Sequence, residues 1–574
     1  MRVLRLRTVK SSGTRAGRLL ALTLLLSAAL VAVSVRLAWL GVVRHAPLAV
    51  RAVSQRAQTV PLGPLRGRIL DRSGRPLTDS RPSYRVAVYP ARVNARAGAA
   101  AHLAQALGTD VRSLERLLDG LEAPVIVASG LGPEEAAEVM SLGLEGVAVV
   151  ADEERYGPGS LARHVVGSVS GGSPLAPGAV GAPRGADGLE AVWDGLLRGE
   201  GPASLALFVD GRGVPIPGLG WRKLHRVGGS PWLSLPCDII TTLDGDVQAV
   251  VEEVMDRRVA RGAVVVMDPW SGDVLAAASR PNFRQDRVGA YLDRTDGPLV
   301  NRVLCPYPPG SVFKPVALAA ALETGAVRLD ERFTCRGTAV VSGREIVCHA
   351  RDRGGHGEVD LEEALALSCN VAFARIGRRV GQDGLREQAL SFGFGRPTGV
   401  GLPGEAAGTL PAPAAEGPEP EAAFGQGGVT ATPLQVARFY STIANGGRSV
   451  RPRLVREAVA PTGARAVLGP RPGGGRVLSH FTAAAVTASL ERAVREGTGV
   501  AAAVVSGVAG KTGTAETGRT GTDGASLYHG WFAGFWPARG ARFVIVVLVE
   551  DTPVGGAEAA RVFGEILARL VGGG

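Results

Sequence analysis

A run of apolar residues near the amino terminus constrains this chain more than any other feature in it. Residues 19–35 carry no charge, and beyond Arg36 the stretch 37–43 extends the run to a length that crosses a bilayer as a helix. Arg36 then reaches towards one interface and Trp39 sits near a headgroup layer. Before the run come Arg2, Arg5, Arg7, Lys10, Arg15 and Arg18, with no acidic residue among them. A basic flank of this kind stays in the cytoplasm and sends everything after about residue 44 to the outside. A cleaved signal peptide fits less well, because the run exceeds a typical h-region and no convincing cleavage site follows it. The expectation is an uncleaved, single-pass anchor.

At 574 residues the chain is too long for one domain, and its 45% hydrophobic content says that it folds. The formal charge of +11 is spread over arginines, with no aromatic-interleaved basic block, so no nucleic acid is expected as a partner. Five cysteines at this length do not make a disulfide scaffold.

After the anchor, Asp71-Arg72-Ser73-Gly74 reads as a tight turn and residues 83–89 as a strand. Helices are expected over 97–107 and 111–118, strands over 124–128 and 165–169, and a helix from Gly188 towards Gly195. Nothing there pairs an acid, a base and a nucleophile, so residues 44–235 are expected to form a non-catalytic domain. From Thr241 the texture changes. Asp244 caps a helical run to Val254, residues 262–267 form a β-branched strand, and 274–278 return as the second strand of a hairpin. Residues 411–420 read as a surface loop. The chain ends in a glycine-spaced strand at 508–516, two more strands at 528–535 and 542–549, and a helix over 557–570, which together make a terminal antiparallel sheet with a helix laid on it. The stretch 461–475 fits no interpretable pattern.

Chemistry enters at Pro308-Pro309-Gly310-Ser311-Val312-Phe313-Lys314-Pro315. The prolines and glycine punctuate the backbone, and the apolar run after them is a buried helix, so Ser311 sits at a helix start with Lys314 one turn along the same face. A serine hydroxyl is a poor nucleophile until a base takes its proton, and a lysine is that base when neutral. Burial and the positive end of the helix dipole both disfavour the ammonium. Arginine cannot substitute, because it keeps its proton. Of 64 basic residues only Lys10, Lys223, Lys314 and Lys511 are lysines, so a lysine here is informative. Taken alone, Ser-x-x-Lys is also an ordinary helix start.

Two further elements follow in order: Ser368-Cys369-Asn370 and Lys511-Thr512-Gly513-Thr514. The ordered set resembles the active site of the penicillin-recognising serine acyl-transferases. Arg66-Gly67-Arg68-Ile69-Leu70-Asp71-Arg72-Ser73-Gly74, the segment 154–162 and Gly188-Leu189-Glu190 are similar to marks of the amino-terminal domain of class B penicillin-binding proteins. Gly401-Leu402-Pro403-Gly404-Glu405, Gly425-Gln426-Gly427 and Thr432-Pro433-Leu434-Gln435 resemble that class's transpeptidase domain.

The resemblance implies a multidomain α+β protein: a cytoplasmic tail (1–18), a transmembrane anchor (19–43), an extended mixed α/β pedestal or dimerisation-type domain (44–235), and a transpeptidase domain (236–574) with an antiparallel sheet flanked by helices. It implies a D,D-transpeptidase that cross-links peptidoglycan stem peptides through an acyl-enzyme and is inhibited by β-lactams. Ser311 is then the nucleophile, Lys314 its base, Ser368 a proton relay, Asn370 a ligand of the substrate amide and Lys511 a source of positive charge. Thr512 and Thr514 would hold the terminal carboxylate, Gly513 would let substrate lie against the strand edge, and the backbone amides of Ser311 and Thr514 would form the oxyanion hole. No cofactor and no metal is implied. The polymerase partner expected for this class is a membrane glycosyltransferase of the shape, elongation, division and sporulation family. A serine β-lactamase is disfavoured by the length and the anchor; an inactive scaffold or a penicillin sensor is the alternative from another class, and about 18 residues before the anchor leave no room for a sensor's signalling segment.

Residues 336–347 read as two short strands about a turn, which could bring Cys335 and Cys348 opposite each other. A disulfide and two free buried thiols are equally compatible with this, and a zinc site using His349 and His356 fits no standard spacing.

Overall fold

The computed structural model describes residues 13–45, 48, 51, 56–63, 66–93, 98–119, 121, 123–170, 184–199, 203–210, 214, 216, 221–224, 236–410, 413, 419–469, 473–521 and 524–572. The basic residues before Gly13 and most of the loop expected at 411–420 lie outside them. The apolar run forms a helix, Gly13–Ala38, that continues through a wider last turn, Trp39–Val43. At about 1.5 Å per residue the span Ala16–Val43 exceeds the thickness of a bilayer core. Among the described residues nothing buries the apolar window of this helix, as a lipid-facing anchor requires. The Arg36 and Arg44 guanidiniums lie 4.6 and 5.0 Å from the Trp39 ring centre, in keeping with an interfacial cluster.

The carboxy-terminal half is built on a five-stranded antiparallel sheet in the order Val274–Arg280, Gly262–Met267, Phe543–Thr552, Ser526–Trp536, Ala509–Thr520. The first two strands are buried along their whole length. Alternation explains how: Val264 and Val266 join a core with the helices Gly245–Arg258 and Gly556–Gly572, while Ala263, Val265 and Met267 join the larger core that holds the helices Lys314–Glu323 and Pro433–Ala444. Asp244 caps the first of those helices, as expected, by accepting from the Asp246 and Val247 amides. The glycine-spaced strand Ala509–Thr520 is an edge, so one side of its backbone is unpaired within the sheet.

The amino-terminal half contains a three-stranded antiparallel sheet, Val125–Leu131, Arg81–Val88, Val147–Glu154, whose core is filled by the helices Ala99–Ala106, Val111–Leu118 and Pro133–Ser141. A second sheet joins Ala57–Gly63, Ala203–Phe208 and Trp221–Leu224. Two expectations are corrected here. Residues 165–169, read as a strand, open with a helical turn, Arg163–Val166, and only Val169–Ser170 is extended. Tertiary contacts override β-propensity: the Ala162 amide is held by the Glu252 carboxylate at 2.6 Å, and the Val165 and Val166 amides fold back onto the Ala162 carbonyl. The helix from Gly188 breaks at Trp193 into Gly188–Val192 and Asp194–Arg198.

The two halves are joined through the marks read in the sequence. Ile69–Leu70 pairs in parallel with Asp238–Thr241, at the edge of a sheet that belongs to the carboxy-terminal half. Beside it, Glu190 is fully buried. Its carboxylate accepts from Arg66 at 2.6 Å, Arg155 at 2.5 Å and the Tyr156 hydroxyl at 2.9 Å, and Arg66 also reaches Asp194 at 2.6 Å. Three patterns, the outer two 124 residues apart, therefore meet on one buried carboxylate. Removing it leaves Arg155 without its anion and Arg66 with Asp194 alone, so Glu190→Ala should destabilise the chain by about 3–5 kcal/mol. Urea unfolding of the purified protein is the check, and an unchanged midpoint would show that the network does not stabilise the amino-terminal half.

Candidate active site

Ser311 lies in a tight 3-10 turn, Gly310–Phe313, that runs directly into the helix Lys314–Glu323. The turn is clamped from outside. The Trp531 indole donates to the Pro308 carbonyl at 3.0 Å, the Tyr440 hydroxyl to the Val312 carbonyl at 3.1 Å, and the Gly310 amide to the Gly425 carbonyl at 3.1 Å. Gly310 has a φ of +55°, and a Cβ there would stand 2.8 Å from the Thr514 carbonyl oxygen, so only glycine allows the turn to sit against the edge strand. Gly513 meets the same constraint from the other side, with a virtual Cβ 2.8 Å from the Pro309 oxygen.

The structure brings Ser311, Lys314, Ser368 and Asn370 together, but not in the arrangement that helix spacing suggests. Lys314 is fully buried, and its Nζ bonds the Ser368 carbonyl at 2.7 Å, Asn370 Oδ1 at 2.8 Å and Ser368 Oγ at 3.0 Å. The Ser311 hydroxyl is hydrogen-bonded to Ser368 Oγ at 3.0 Å, and among the described residues it makes no direct bond to Lys314. The cause is the backbone of Ser368. With φ +56° it sits in the left-handed region, which costs a non-glycine residue about 1–2 kcal/mol and turns both its carbonyl and its hydroxyl towards the amine. Burial pulls the Lys314 pKa down to about 7, against the opposing effect of the nearby Cys369 and Cys348.

Lys511 is also fully buried, and is lowered well below its usual pKa by burial and then by Lys314. Its Nζ bonds Thr498 Oγ1 at 3.0 Å, and Thr512 donates to the same Thr498 oxygen at 2.6 Å. The two threonines expected to share one task differ. Thr512 is 8% exposed and already committed to Thr498, whereas Thr514 is exposed and accepts from the Gly556 amide at 3.1 Å. Thr498 was not anticipated from sequence. Its place is set by neighbours: Gly497 packs so closely on the Ala366 carbonyl that a Cβ would come within 2.2 Å, and the Thr498 amide donates to that same carbonyl. Ala366 ends the short helix Leu361–Ala366, which runs into Ser368, so the second and third motifs share a support.

A half-buried hydroxyl hydrogen-bonded through a second hydroxyl to a neutral-prone amine, beside an open strand edge, is equipped for acyl transfer. Residues 262–568 match the family described as penicillin binding protein transpeptidase domain, and residues 61–213 match the penicillin-binding protein dimerisation domain. Stage V sporulation protein D of Bacillus subtilis is 32% identical over 533 residues, covering 89% of this chain and 78% of that protein. Peptidoglycan D,D-transpeptidase FtsI of Escherichia coli is 28% identical over 559 residues, covering 93% and 88%. Among solved structures, one described as the structural coordination of polymerization and crosslinking by a peptidoglycan synthase complex aligns with a TM-score of 0.70 at 26% identity, covering 96% of this chain and 98% of that one. With its anchor helix, its two matched domains and relatives aligned over most of its length, one of them named a peptidoglycan D,D-transpeptidase, the chain belongs to the class B penicillin-binding proteins and is a peptidoglycan D,D-transpeptidase.

Proposed function

We propose that Ser311 is the acylated nucleophile and that Lys314 takes its proton through Ser368. One observation carries this reading: the three partners of Lys314 Nζ are two pure acceptors, the Ser368 carbonyl and Asn370 Oδ1, and one hydroxyl. A neutral amine has two N–H donors and one lone pair, so the lone pair faces the Ser368 hydroxyl, which in turn adjoins Ser311. As an ammonium the same nitrogen donates to all three. A proton can therefore arrive and depart when the two hydroxyl hydrogens turn, with no heavy atom displaced.

In the first step the Ser311 oxygen bonds to the penultimate carbonyl carbon of a stem peptide, its proton passes by way of Ser368 to Lys314, and the terminal D-alanine leaves as an amine that takes the proton back. In the second, an amine from a neighbouring stem peptide attacks the ester, gives up a proton along the same route, and releases Ser311. The backbone amides of Ser311 and Thr514 are assigned to the oxyanion, where each such donor is worth about 3 kcal/mol. Gly513 on the edge strand accommodates substrate as an added strand, Asn370 holds its amide, and Lys511, Thr512 and Thr514 receive its carboxylate. Mass spectrometry of penicillin-treated protein is the test: the adduct should fall on the peptide containing Ser311, and an adduct elsewhere would overturn the assignment.

The proposed layout is a cytoplasmic tail over 1–18, an anchor over 19–43, a pedestal over 44–235 and a transpeptidase domain over 236–574, the last two outside the cytoplasm. The arginine-rich flank of the anchor supports this orientation. A reporter that works only outside the cytoplasm should be active when fused after Gly574; activity of a cytoplasm-only reporter at that end would reverse it. The polymerase partner is taken to be a membrane glycosyltransferase of the shape, elongation, division and sporulation family, a reading supported by the likeness to a synthase complex that couples polymerization to crosslinking.

A further inference from the structure

Three of the five cysteines and one of the eight histidines meet beside the second motif. A sulfur from each of Cys335, Cys348 and Cys369 and a ring nitrogen of His356 all lie within 4.8 Å of one another. The three cysteines are buried and His356 is half-buried. We propose that these four side chains form a zinc site that fixes the Ser368-Cys369-Asn370 turn.

The donor set and its geometry carry the inference. Zinc–sulfur and zinc–nitrogen bonds of about 2.3 and 2.0 Å put tetrahedral ligands roughly 3.5–3.8 Å apart. Cys348 Sγ and His356 Nδ1 are already 3.5 Å apart, and the remaining pairs need to close by about an ångström or less. Three thiolates and an imidazole with no open position match a structural zinc centre, not a catalytic one. All five cysteines are free, so the disulfide considered between Cys335 and Cys348 is absent. A bridge between any two of the three clustered cysteines would leave the third thiol and the imidazole facing it unused. The zinc site weighed from sequence used His349 and His356, at a spacing that fits no standard pattern; instead the His349 ring packs edge-on against that of His356, with centroids 5.0 Å apart, and Cys369 supplies the fourth ligand from a different element.

The surrounding backbone is built to bring these groups together. Cys335 ends the strand Phe333–Cys335, which pairs with Gly357–Val359 immediately after His356. Cys348 follows the hairpin Thr338–Val341 and Arg344–Val347, its amide tied to the Gly337 carbonyl at 2.8 Å. Gly355 has a φ of +93°, and a Cβ there would stand 2.2 Å from the Cys335 oxygen, so the loop closes over the cluster only with glycine. The Cys369 sulfur accepts from the Ala372 amide at 3.5 Å.

The consequence falls on the active site. Cys369 lies between Ser368, which links Ser311 to Lys314, and Asn370, whose Nδ2 donates to the Val347 carbonyl next to Cys348 at 3.1 Å. A metal bound to Cys335, Cys348, His356 and Cys369 would tie the hairpin, the 355–359 segment and the left-handed Ser368 into one unit. These four are positioning residues. The metal site rests on the cluster alone; its effect on acylation rests on the proposed roles of Ser311, Ser368 and Lys314.

The full chain purified in detergent without chelator should contain one zinc per molecule by elemental analysis, and Cys335→Ser and His356→Ala should each lose it. Replacement by Co²⁺ should give the intense thiolate-to-cobalt absorption of a tetrahedral site, a readout independent of activity. Stripping zinc with a strong chelator should slow penicillin acylation about tenfold or more, and adding Zn²⁺ back should restore it without refolding, which separates the effect from misfolding of the variants. Zinc-free protein at full activity, or unreduced digests that link any two of the Cys335, Cys348 and Cys369 peptides, would overturn the site. Bound zinc whose removal leaves acylation unchanged would overturn the positioning role. Failure of the wild type to label at Ser311 would instead count against the catalytic assignment and leave the zinc analysis standing.

Discussion

Ser311→Ala is expected to abolish covalent labelling by a fluorescent penicillin, with a loss on the order of 10⁶-fold, the scale seen when an acyl-transfer nucleophile is removed. The substitution deletes one oxygen from a side chain that is only partly buried and whose single described partner is Ser368 Oγ. The expected loss of stability is about 1 kcal/mol, the net worth of one hydrogen bond. The turn that carries residue 311 is held by Trp531, Tyr440 and Gly425, none of which touches the hydroxyl. The melting temperature should therefore stay near that of the wild type while labelling vanishes. Labelling that persists in the variant would place the nucleophile elsewhere. Labelling and fold lost together would leave the chemistry to be decided by the mapped adduct on the wild type.

Much of this site is legible in the sequence because its parts are local. The β-branched run at Gly262–Met267, the cap at Asp244 and the helix after Lys314 follow from periodicity and end signals, and the elements occur where those signals put them. The three motifs are equally local, each a few residues long. What local pattern could not supply is how they face one another. Helix spacing put Lys314 beside Ser311, whereas the left-handed backbone of Ser368, imposed by the junction of two helices, routes the contact through Ser368. Thr498 escaped notice because a lone threonine between glycines is a turn signal, and its role depends on the packing of Gly497 against Ala366. The Cys335, Cys348, His356 and Cys369 cluster was only half visible, since Cys369 comes from a helix start and not from the hairpin that carries Cys348. The strand expected at 165–169 failed for the same reason, with Glu252 deciding the local backbone from a distant helix.

Lys314→Arg should keep a positive charge at the site and still lose acylation by about 10²–10⁴-fold, the usual contribution of a positioned general base. A guanidinium does not deprotonate in a protein, so it cannot accept the Ser311 proton by way of Ser368. Charge alone would predict the opposite result. Lysine at this position is fully buried, and burial brings its pKa to about 7. The neutral base is therefore the minor form below that value and the major form above it, so the wild-type acylation rate should rise with pH through about 7 and then level off. The ionisable groups facing the amine are Cys369 and Cys348, which oppose the shift, and Lys511, which is itself buried and held well below its usual pKa. Arginine is larger than the cavity was built for, and Lys314→Met, close in volume and uncharged, separates packing from chemistry. Both variants should bind penicillin covalently at the same residual rate, with no rise across this pH range, and Lys314→Met should melt close to the wild type. An arginine variant that acylates within a few-fold of the wild type, or a methionine variant that keeps the pH-dependent rise, would remove Lys314 from the role of base and leave Ser368 to pass the proton to another acceptor.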